Sequence, residues 1–401
     1  MLSDSSKPYI EASVPVLREH GLTISTVFYR NLFLEYPDLK NLFNMGNQAQ
    51  GIQQKSLAAA VFAYAANISN PEVLKPVISR IVNKHVSLGI LPEHYPIVGR
   101  HLLGAIKEVL GDAATVPLIA AWTEAYGLLA DALIGYEKEF YDRSPVAPGY
   151  LTKLKVTGIK QQSKLVRSFE LTSMDGIPLT KFKPGQYVSV AVNFDDGSRQ
   201  LRQYSLSDPP SKSHYRISVK REAYGMEDIQ GQVSNWLHDN LQMGDAVLVG
   251  QPSGDFIPEA KLDETIVLIS GGIGITPMVS TLKHLEEVDP LRHVIFAHSV
   301  SSKEHHSHAE EVAAAKAMMP NLRVITFYGE MSDEQRESGL NLKGRMDVNQ
   351  IPGIEDKNSK FYLCGPLPFM ESVRIQLQKK GILAHRIYKE VFGPDLLADL
   401  V

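Results

Sequence analysis

The sequence predicts an all-α domain, then an antiparallel β-barrel, then an α/β domain built on a parallel sheet. Three observations predict this. Up to Tyr141, apolar residues recur three and four apart, as in Val77, Ile78, Ile81, Val82, His85 and Leu88, which lie on one helix face. Short alternating runs follow, at Leu165 to Leu171, Tyr187 to Val192 and Tyr215 to Val219, and turn signals separate them. From about Thr265, continuous apolar runs precede Gly-rich turns and helical stretches, the texture of a parallel sheet. The 401 residues fit two or three domains at roughly 150 residues each. The expected boundaries are 1–146, 147–262 and 263–401.

Each element follows from local chemistry. Ser144-Pro145-Val146-Ala147-Pro148-Gly149 reads as the linker after the helices. Lys183-Pro184-Gly185 and Asp195-Asp196-Gly197 supply turns between strands. Gly231 to Leu237 reads as a turn entering a helix, with Ser234 as its N-cap. In the last third, Ile266 to Ile269 is a buried strand, and Val294 to Ala297, Val324 to Phe327 and Phe361 to Leu363 repeat it.

Composition narrows the function. Hydrophobic residues make up 44% and charged residues 21%, an ordinary globular balance. A formal net charge of −4 gives no electrostatic reason to bind nucleic acid or an anionic membrane. A single cysteine, Cys364, excludes an intrachain disulfide and suits a reducing compartment. The first residues are polar and lack a signal-like apolar run, and no stretch reaches the ~18–20 apolar residues of a membrane span. The expectation is a cytoplasmic monomer acting on small molecules.

Candidate chemistry begins in the helical part. His85 lies on an apolar stripe, where a lone histidine is more often a core residue than a ligand. It has company. Gln53 and Leu57 are four apart and share a helix face, Tyr29 stands between Phe28 and Phe33, and Phe43 follows a proline-initiated turn. The order Tyr29, Phe43, Gln53, Leu57, His85 resembles the bacterial flavohaemoglobins, and the resemblance spans the whole chain. It implies His85 as proximal haem-iron ligand, Phe43 against the porphyrin, and Tyr29, Gln53 and Leu57 in the distal pocket. Distal donors decide whether oxygen is stored or activated. It also implies that Glu137 accepts the second ring N–H of His85, with Tyr95 beside it, making the ligand more basic. By spacing alone Glu139 serves as well as Glu137. Lys84, otherwise a solvated lysine, and Glu390 are implied to tune the redox potential.

The reductase signatures come next. Arg202-Gln203-Tyr204-Ser205 closes a strand: arginine suits a pyrophosphate, tyrosine can stack on a flavin, and serine can reach its reactive edge. Gln232, Val233 and Ser234 open a helix whose N-terminus can hold phosphate, and Tyr187 adds an aromatic wall. The order resembles the ferredoxin-reductase type of FAD domain, although Glu222 to Gln230 is longer and poorer in glycine than that pattern suggests. Gly271-Gly272-Ile273-Gly274-Ile275-Thr276 is a strand-to-helix glycine turn suited to a dinucleotide. Cys364-Gly365-Pro366 is implied to lie by the nicotinamide, although a small buried residue at a strand end would read the same. Val391-Phe392-Gly393-Pro394 matches the C-terminal flavin-covering signature.

The resemblance implies haem b, FAD and NAD(P)H as cofactors, and nitric oxide and O2 as substrates. Electrons would pass from nucleotide to FAD and singly to haem, and nitric oxide would leave as nitrate. Alternatives are an oxygen carrier or gas sensor, a reductase with another acceptor such as a quinone or hydroperoxide, and a haem-free helical module. His305, His306 and His308 invite a metal reading, but a solvated helix start among Glu304, Glu310 and Glu311 is the expectation.

Overall fold

The computed structural model describes residues 2–222, 231–331 and 341–393. Its first part is helical: α1 (Lys7–Glu35), α2 (Met45–Ala49), α3 (Ile52–Ala66), α4 (Lys75–Leu88), α5 (His94–Leu110) and α6 (Val116–Arg143). The long α1 buries Ile10, Leu17, Ile24, Phe28 and Leu32, a three-to-four-residue period that turns one stripe inward. Each such side chain contributes about 1.5–3 kcal/mol when fully buried. The end of α4 is fixed by glycine. Gly89 has φ +72°, and a Cβ there would lie 2.3 Å from the Cα of Gly149 in the linker. Only two glycines let helix end and linker pack so closely.

By length and mean hydropathy α6 could cross a membrane, contrary to the expectation from the sequence. One face of it packs inward, where Trp122, Ala125 and Leu133 are buried, and it carries the buried carboxylate of Glu137.

Strands β1 (Thr152–Gln161), β2 (Val166–Ser173), β3 (Tyr187–Asn193), β4 (Arg199–Ser205), β5 (Tyr215–Lys220) and β6 (Ala246–Val249), with helix α7 (Gln232–Asn240), make the second layer. The sheet order is β4-β3-β6-β1-β2-β5. The β1–β2, β2–β5 and β1–β6 pairs are antiparallel. A bridge between Leu206 and Ile217 joins the two ends of this order, so the sheet closes.

The last part contains β7 (Ile266–Gly271), α8 (Ile275–Val288), β8 (Val294–Val300), α9 (Ala309–Met318), β9 (Leu322–Tyr328), β10 (Asn341–Lys343), β11 (Lys360–Cys364), α10 (Leu367–Lys379) and β12 (Ile387–Glu390). The order β10-β9-β8-β7-β11-β12 is parallel at every pairing. Apolar clusters cover both faces, around Leu268, Met278 and Phe296 on one and Ile269, Phe327 and Phe361 on the other. All six residues of β7 are therefore buried, which explains its continuous apolar sequence. The strand order reverses next to β7, where such sheets bind ligands.

The described chain divides into two units. One holds the residues up to Leu151 with Ala191–Arg202 and Gly393; the other holds Thr152–Val190 and Gln203–Phe392.

Two local expectations are corrected. The cap of α7 is Gly231, not Ser234. Ser234 sits in the first turn, and its Oγ donates to the Gly231 carbonyl at 2.9 Å and accepts from the Glu222 N–H at 3.3 Å. The histidines before α9 are not a solvated start. His308 is 1% exposed, because its ring is held between Glu311 and Ser218. His306 is drawn in by stacking on His298, ring centroids 4.9 Å apart, and by the Tyr328 hydroxyl at 2.7 Å.

Candidate functional site

In the helical unit the structure gathers two groups of the expected residues. The first is aromatic and distal. Tyr29 lies stacked on Phe33, centroids 5.8 Å apart, and meets Phe43 edge-on at 5.6 Å. The Gln53 side chain hydrogen-bonds its hydroxyl. Leu57 packs against the same cluster. Burial pushes the Tyr29 phenol above its ordinary range against the opposing Gln53 bond, so it stays a neutral O–H donor across physiological pH.

The second group is built around His85, one turn from the end of α4. Its Nδ1 lies 2.7 Å from Glu137 Oε1 and 3.0 Å from the Tyr95 hydroxyl. The Tyr95 O–H donates to the same carboxylate oxygen at 2.5 Å. With Nδ1–H donating to Glu137, the lone pair falls on Nε2, the atom that could serve as a ligand. Burial raises the Tyr95 phenol and the Glu137 carboxylate raises it further, so it too remains a donor. The structure thereby chooses between the two glutamates: Glu137 is 2% exposed, whereas Glu139 is exposed and pairs with Arg143 at 3.4 Å. Lys84, beside His85, is half-buried on α4.

These residues fit a haem. Glu137 Oε2 is buried without a hydrogen-bond partner among the described residues, a cost that a stable scaffold would shed if the carboxylate had no task. The apolar residues form three clusters, around Phe28, around Ala63 and around Val82, where a domain of this size ordinarily has one continuous core. Phe43, Leu57, Ile78, Ile81 and Leu129 stand half-buried at their margins, the lining an apolar planar group needs.

The flavin candidates divide between the two units. Arg202 lies in the first, its guanidinium donating to the Leu201 carbonyl at 2.7 Å and to the Gln200 side chain at 3.1 Å. In the second, Gln203 Nε2 donates to Ser189 Oγ at 3.1 Å, Tyr204 is half-buried and Ser205 buried. The Leu206 N–H donates to the Gln186 carbonyl at 2.9 Å, which brings the strand bearing Tyr204 and Ser205 beside Tyr187. Val233 and Ser234 are buried and Gln232 exposed in the first turn of α7. Gly231 is a cradle: a Cβ there would lie 2.6 Å from Ser234 Oγ and 2.9 Å from Glu222. A helix start after such a glycine suits FAD phosphate. The rest of the long segment, 223–230, lies outside the described residues.

The nucleotide candidates lie together at the ends of β7 and β11. Gly271 closes β7, Gly272 has φ +53°, and α8 begins at Ile275. A Cβ on Gly274 would lie 2.3 Å from the Cys364 carbonyl oxygen, so the turn can touch β11 only as glycine. The Thr276 hydroxyl donates to the Ile273 carbonyl at 3.1 Å and holds the turn. Gly365 packs on the Phe369 ring, and Pro366 caps α10. Cys364 is fully buried and pairs in register with Glu390 on β12. Burial first, and then the Glu390 carboxylate, hold its thiol well above its usual range, so it is no nucleophile at neutral pH. Val391 packs on the sheet core, while Phe392 is 45% exposed and Gly393 has φ +125°. Pro394 lies outside the described residues.

One buried polar cluster escaped the sequence reading. Arg216 on β5 reaches Glu311 on α9 at 2.7 and 3.2 Å, and also lies 3.4 Å from Asp208, which His214 contacts at 2.9 Å. Burial resists ionisation of Glu311, but His308 and Arg216 prevail and hold its carboxyl down to about 2. The only signal in the sequence was the run of histidines before Glu310 and Glu311.

Comparison with known proteins agrees with this organisation. The Globin family profile matches residues 26–133, the oxidoreductase FAD-binding domain 153–257 and the oxidoreductase NAD-binding domain 268–375. A flavohemoprotein of Rhizobium meliloti is 44% identical over 100% of both chains. One of Bacillus subtilis is 40% identical over 99% of this chain and 98% of its own. The crystal structure of flavohemoglobin from Malassezia yamatoensis, with bound FAD and heme, superposes with a TM-score of 0.86 at 31% identity, covering 98% of this chain and 100% of that one. The flavohem-like FAD/NAD binding domain of nitric oxide dioxygenase from Vibrio cholerae is 36% identical with a TM-score of 0.56, covering 61% of this chain and 99% of that one. With a globin, an FAD domain and a NAD-binding domain in the order its sequence expects, this chain belongs to the flavohaemoprotein family, haem-linked NAD(P)H oxidoreductases.

Proposed function

We propose that the chain is a nitric oxide dioxygenase, which uses NAD(P)H and O2 to convert nitric oxide to nitrate. The observation that carries the reading is the buried His85–Glu137–Tyr95 set. A carboxylate accepting from a histidine raises the basicity of the opposite nitrogen, which favours oxygen activation over reversible storage. When bound, haem supplies the oxygen chemistry and FAD divides the electron pair of the nucleotide into single electrons.

The residues of this chain supply the rest. His85 would hold the haem iron through Nε2, with Glu137 fixing its ring. Tyr29 presents a proton donor, with Gln53 on its oxygen, to orient the oxygen substrate. Leu57 and Phe43 keep that pocket apolar and narrow, so water competes poorly. Tyr187 and Tyr204 supply faces for the flavin, and the Gly231 turn supplies its phosphate site. Gly271 to Thr276 accept the nucleotide. Lys84 and Glu390 adjust the potentials of the groups near them. The similarity to a domain described as belonging to a nitric oxide dioxygenase supports the same reading. The protein acts as a monomer in the reducing cytoplasm.

The test follows nitric oxide with an electrode in aerated buffer. It uses haem- and FAD-loaded protein, NADH or NADPH, and a nitrate assay. The expected outcome is rapid, cyanide-sensitive consumption with stoichiometric nitrate, slowed roughly tenfold by Tyr29→Phe through loss of one hydrogen bond of about 1.5 kcal/mol. Nucleotide oxidation with persistent nitric oxide would point instead to a reductase with another acceptor, and unchanged turnover in Tyr29→Phe would remove that residue's role.

A further inference from the structure

In an open parallel sheet the dinucleotide lies outside the carboxyl ends of the strands. By that rule the pyrophosphate would fall at the glycine turn after β7, with one half of the nucleotide over β11 and the other over β8, β9 and β10. On the second side a shallow, open cleft of about 760 Å³ is lined by Ser302, Lys303, Glu304, Glu330 and Lys343. Its floor is knitted from strand ends: the Gly329 N–H donates to the Val300 carbonyl at 2.9 Å, and the Glu330 N–H to the Ser301 carbonyl at 2.7 Å.

The charges of this cleft are informative. A site for NADH places a carboxylate at the end of the second strand, where it accepts from the adenosine ribose 2′-hydroxyl, and a site for NADPH puts a cation there. Here the residues after β8 are Ser301, Ser302 and Lys303. The first carboxylate, Glu304, is already engaged: its Oε1 accepts from Lys164 Nζ at 3.0 Å and its carbonyl from the Lys164 N–H at 2.8 Å. Lys303 and Lys343 are exposed, and both line the cleft. Glu330 opposes them, but it stands at the end of the third strand, one place beyond the position that reads the ribose. A 2′-substituent placed here would face two ammonium groups and the Ser302 hydroxyl, which also contacts His305 Nδ1 at 2.8 Å, against the carboxylate of Glu330.

We infer that this chain recognises the adenosine 2′-phosphate through Lys303, Ser302 and Lys343 and prefers NADPH; the inference rests on the reductase reading above. The experiment is anaerobic flavin reduction in the haem- and FAD-loaded protein, with NADPH and NADH in turn. It is repeated with Lys303→Ala and Lys343→Ala, whose folding is checked by their bound-flavin spectrum. Competition by 2′,5′-ADP and by 5′-AMP isolates the phosphate from the nicotinamide. The ratio of kcat/KM for NADPH over NADH should exceed one and fall at least about tenfold in Lys303→Ala, the loss of one charge-assisted contact. 2′,5′-ADP should compete better than 5′-AMP, and this advantage should shrink in the variant and at high salt. A ratio below one in the unaltered protein, or one that both lysine variants leave in place, overturns the inference. Flavin that neither nucleotide reduces overturns it together with the reductase reading. Reduction by NADPH without nitric oxide consumption leaves it standing and removes the dioxygenase alone.

Discussion

Glu137 sits in the helical unit, 2% exposed, with one oxygen shared by His85 and Tyr95 and the other without a partner among the described residues. Burying a carboxylate this way costs several kcal/mol unless its partners compensate. The role proposed for it is to make the opposite nitrogen of the imidazole more basic. Glu137→Gln keeps the shape and removes the charge. Turnover of nitric oxide should fall roughly 10–100-fold, the usual cost of losing a partner behind a metal ligand. The iron–histidine stretching frequency of the loaded protein should fall and the haem potential rise. A variant with unaltered Raman frequency and potential would show that Glu137 merely packs there.

At the scale of elements, the junction of α9 with β5 shows how an unusual backbone is tolerated. His308 is the one non-glycine residue with positive φ among those described, at +58°. That conformation costs about 1–2 kcal/mol. It is offset because the ring then donates or accepts at both nitrogens, to Glu311 and to Ser218. The same cluster makes the fold acid-sensitive. Burial, and then the charge of His308, push His306 down to about 4. The unfolded residue titrates near 6.5, so below that pH the unfolded chain takes a proton the native state refuses. Stability is therefore intact above about pH 6.5 and lost as pH falls toward 4. Glu311, held near 2, adds a second loss below the ordinary glutamate value of about 4.3. Urea unfolding followed by flavin fluorescence should show about 2 kcal/mol less stability at pH 4.5 than at pH 7 from His306. Equal midpoints at the two pH values would refute the assignment, and in His306→Phe the slope should flatten.

For the whole molecule, each unit has apolar clusters of its own, in the helices around Phe28 and in the parallel sheet around Leu268 and Phe361. The proximal set around His85 and the glycine turn after β7 thereby lie in different units, with Ala191–Arg202 of the barrel in the helical unit and the rest of the barrel with the parallel sheet. His85→Ala should abolish stable haem retention and lower nitric oxide consumption by about tenfold or more. Reduction of FAD by nucleotide should continue near its original rate. Loss of both together would mean that the flavin site depends on the haem end, against this division. Exogenous imidazole should restore part of the haem spectrum in the variant.

Much of this was legible before any coordinates. The apolar period ending near Tyr141, the alternation in the barrel strands and the continuous run Ile266 to Ile269 each report burial on one face or two, and burial is what sequence periodicity encodes. The glycines at 271, 272 and 274 were legible for a related reason: only their backbone tolerates the conformation or the approach. The roles read for Lys84 and Glu390 came from resemblance, and they stand as proposals. Other features depend on which atoms meet across long separations in the chain. Glu137 and Glu139 are equivalent on paper, and the rotation of α6 against α4 alone put one on His85 and the other in water. His306 and His308 looked solvated because their partners, Tyr328 and Ser218, come from strands elsewhere in the chain. Ser234 looked like a cap until the glycine before it took that position. The sequence by itself determined the layers, their order and the glycine turns suited to a phosphate, since these follow from local periodicity and backbone freedom. Tertiary structure decided which carboxylate meets His85, which histidines are buried and which strand ends come together, because hydrogen bonds and charge pairing act over a few ångströms in space and have no fixed spacing along the chain.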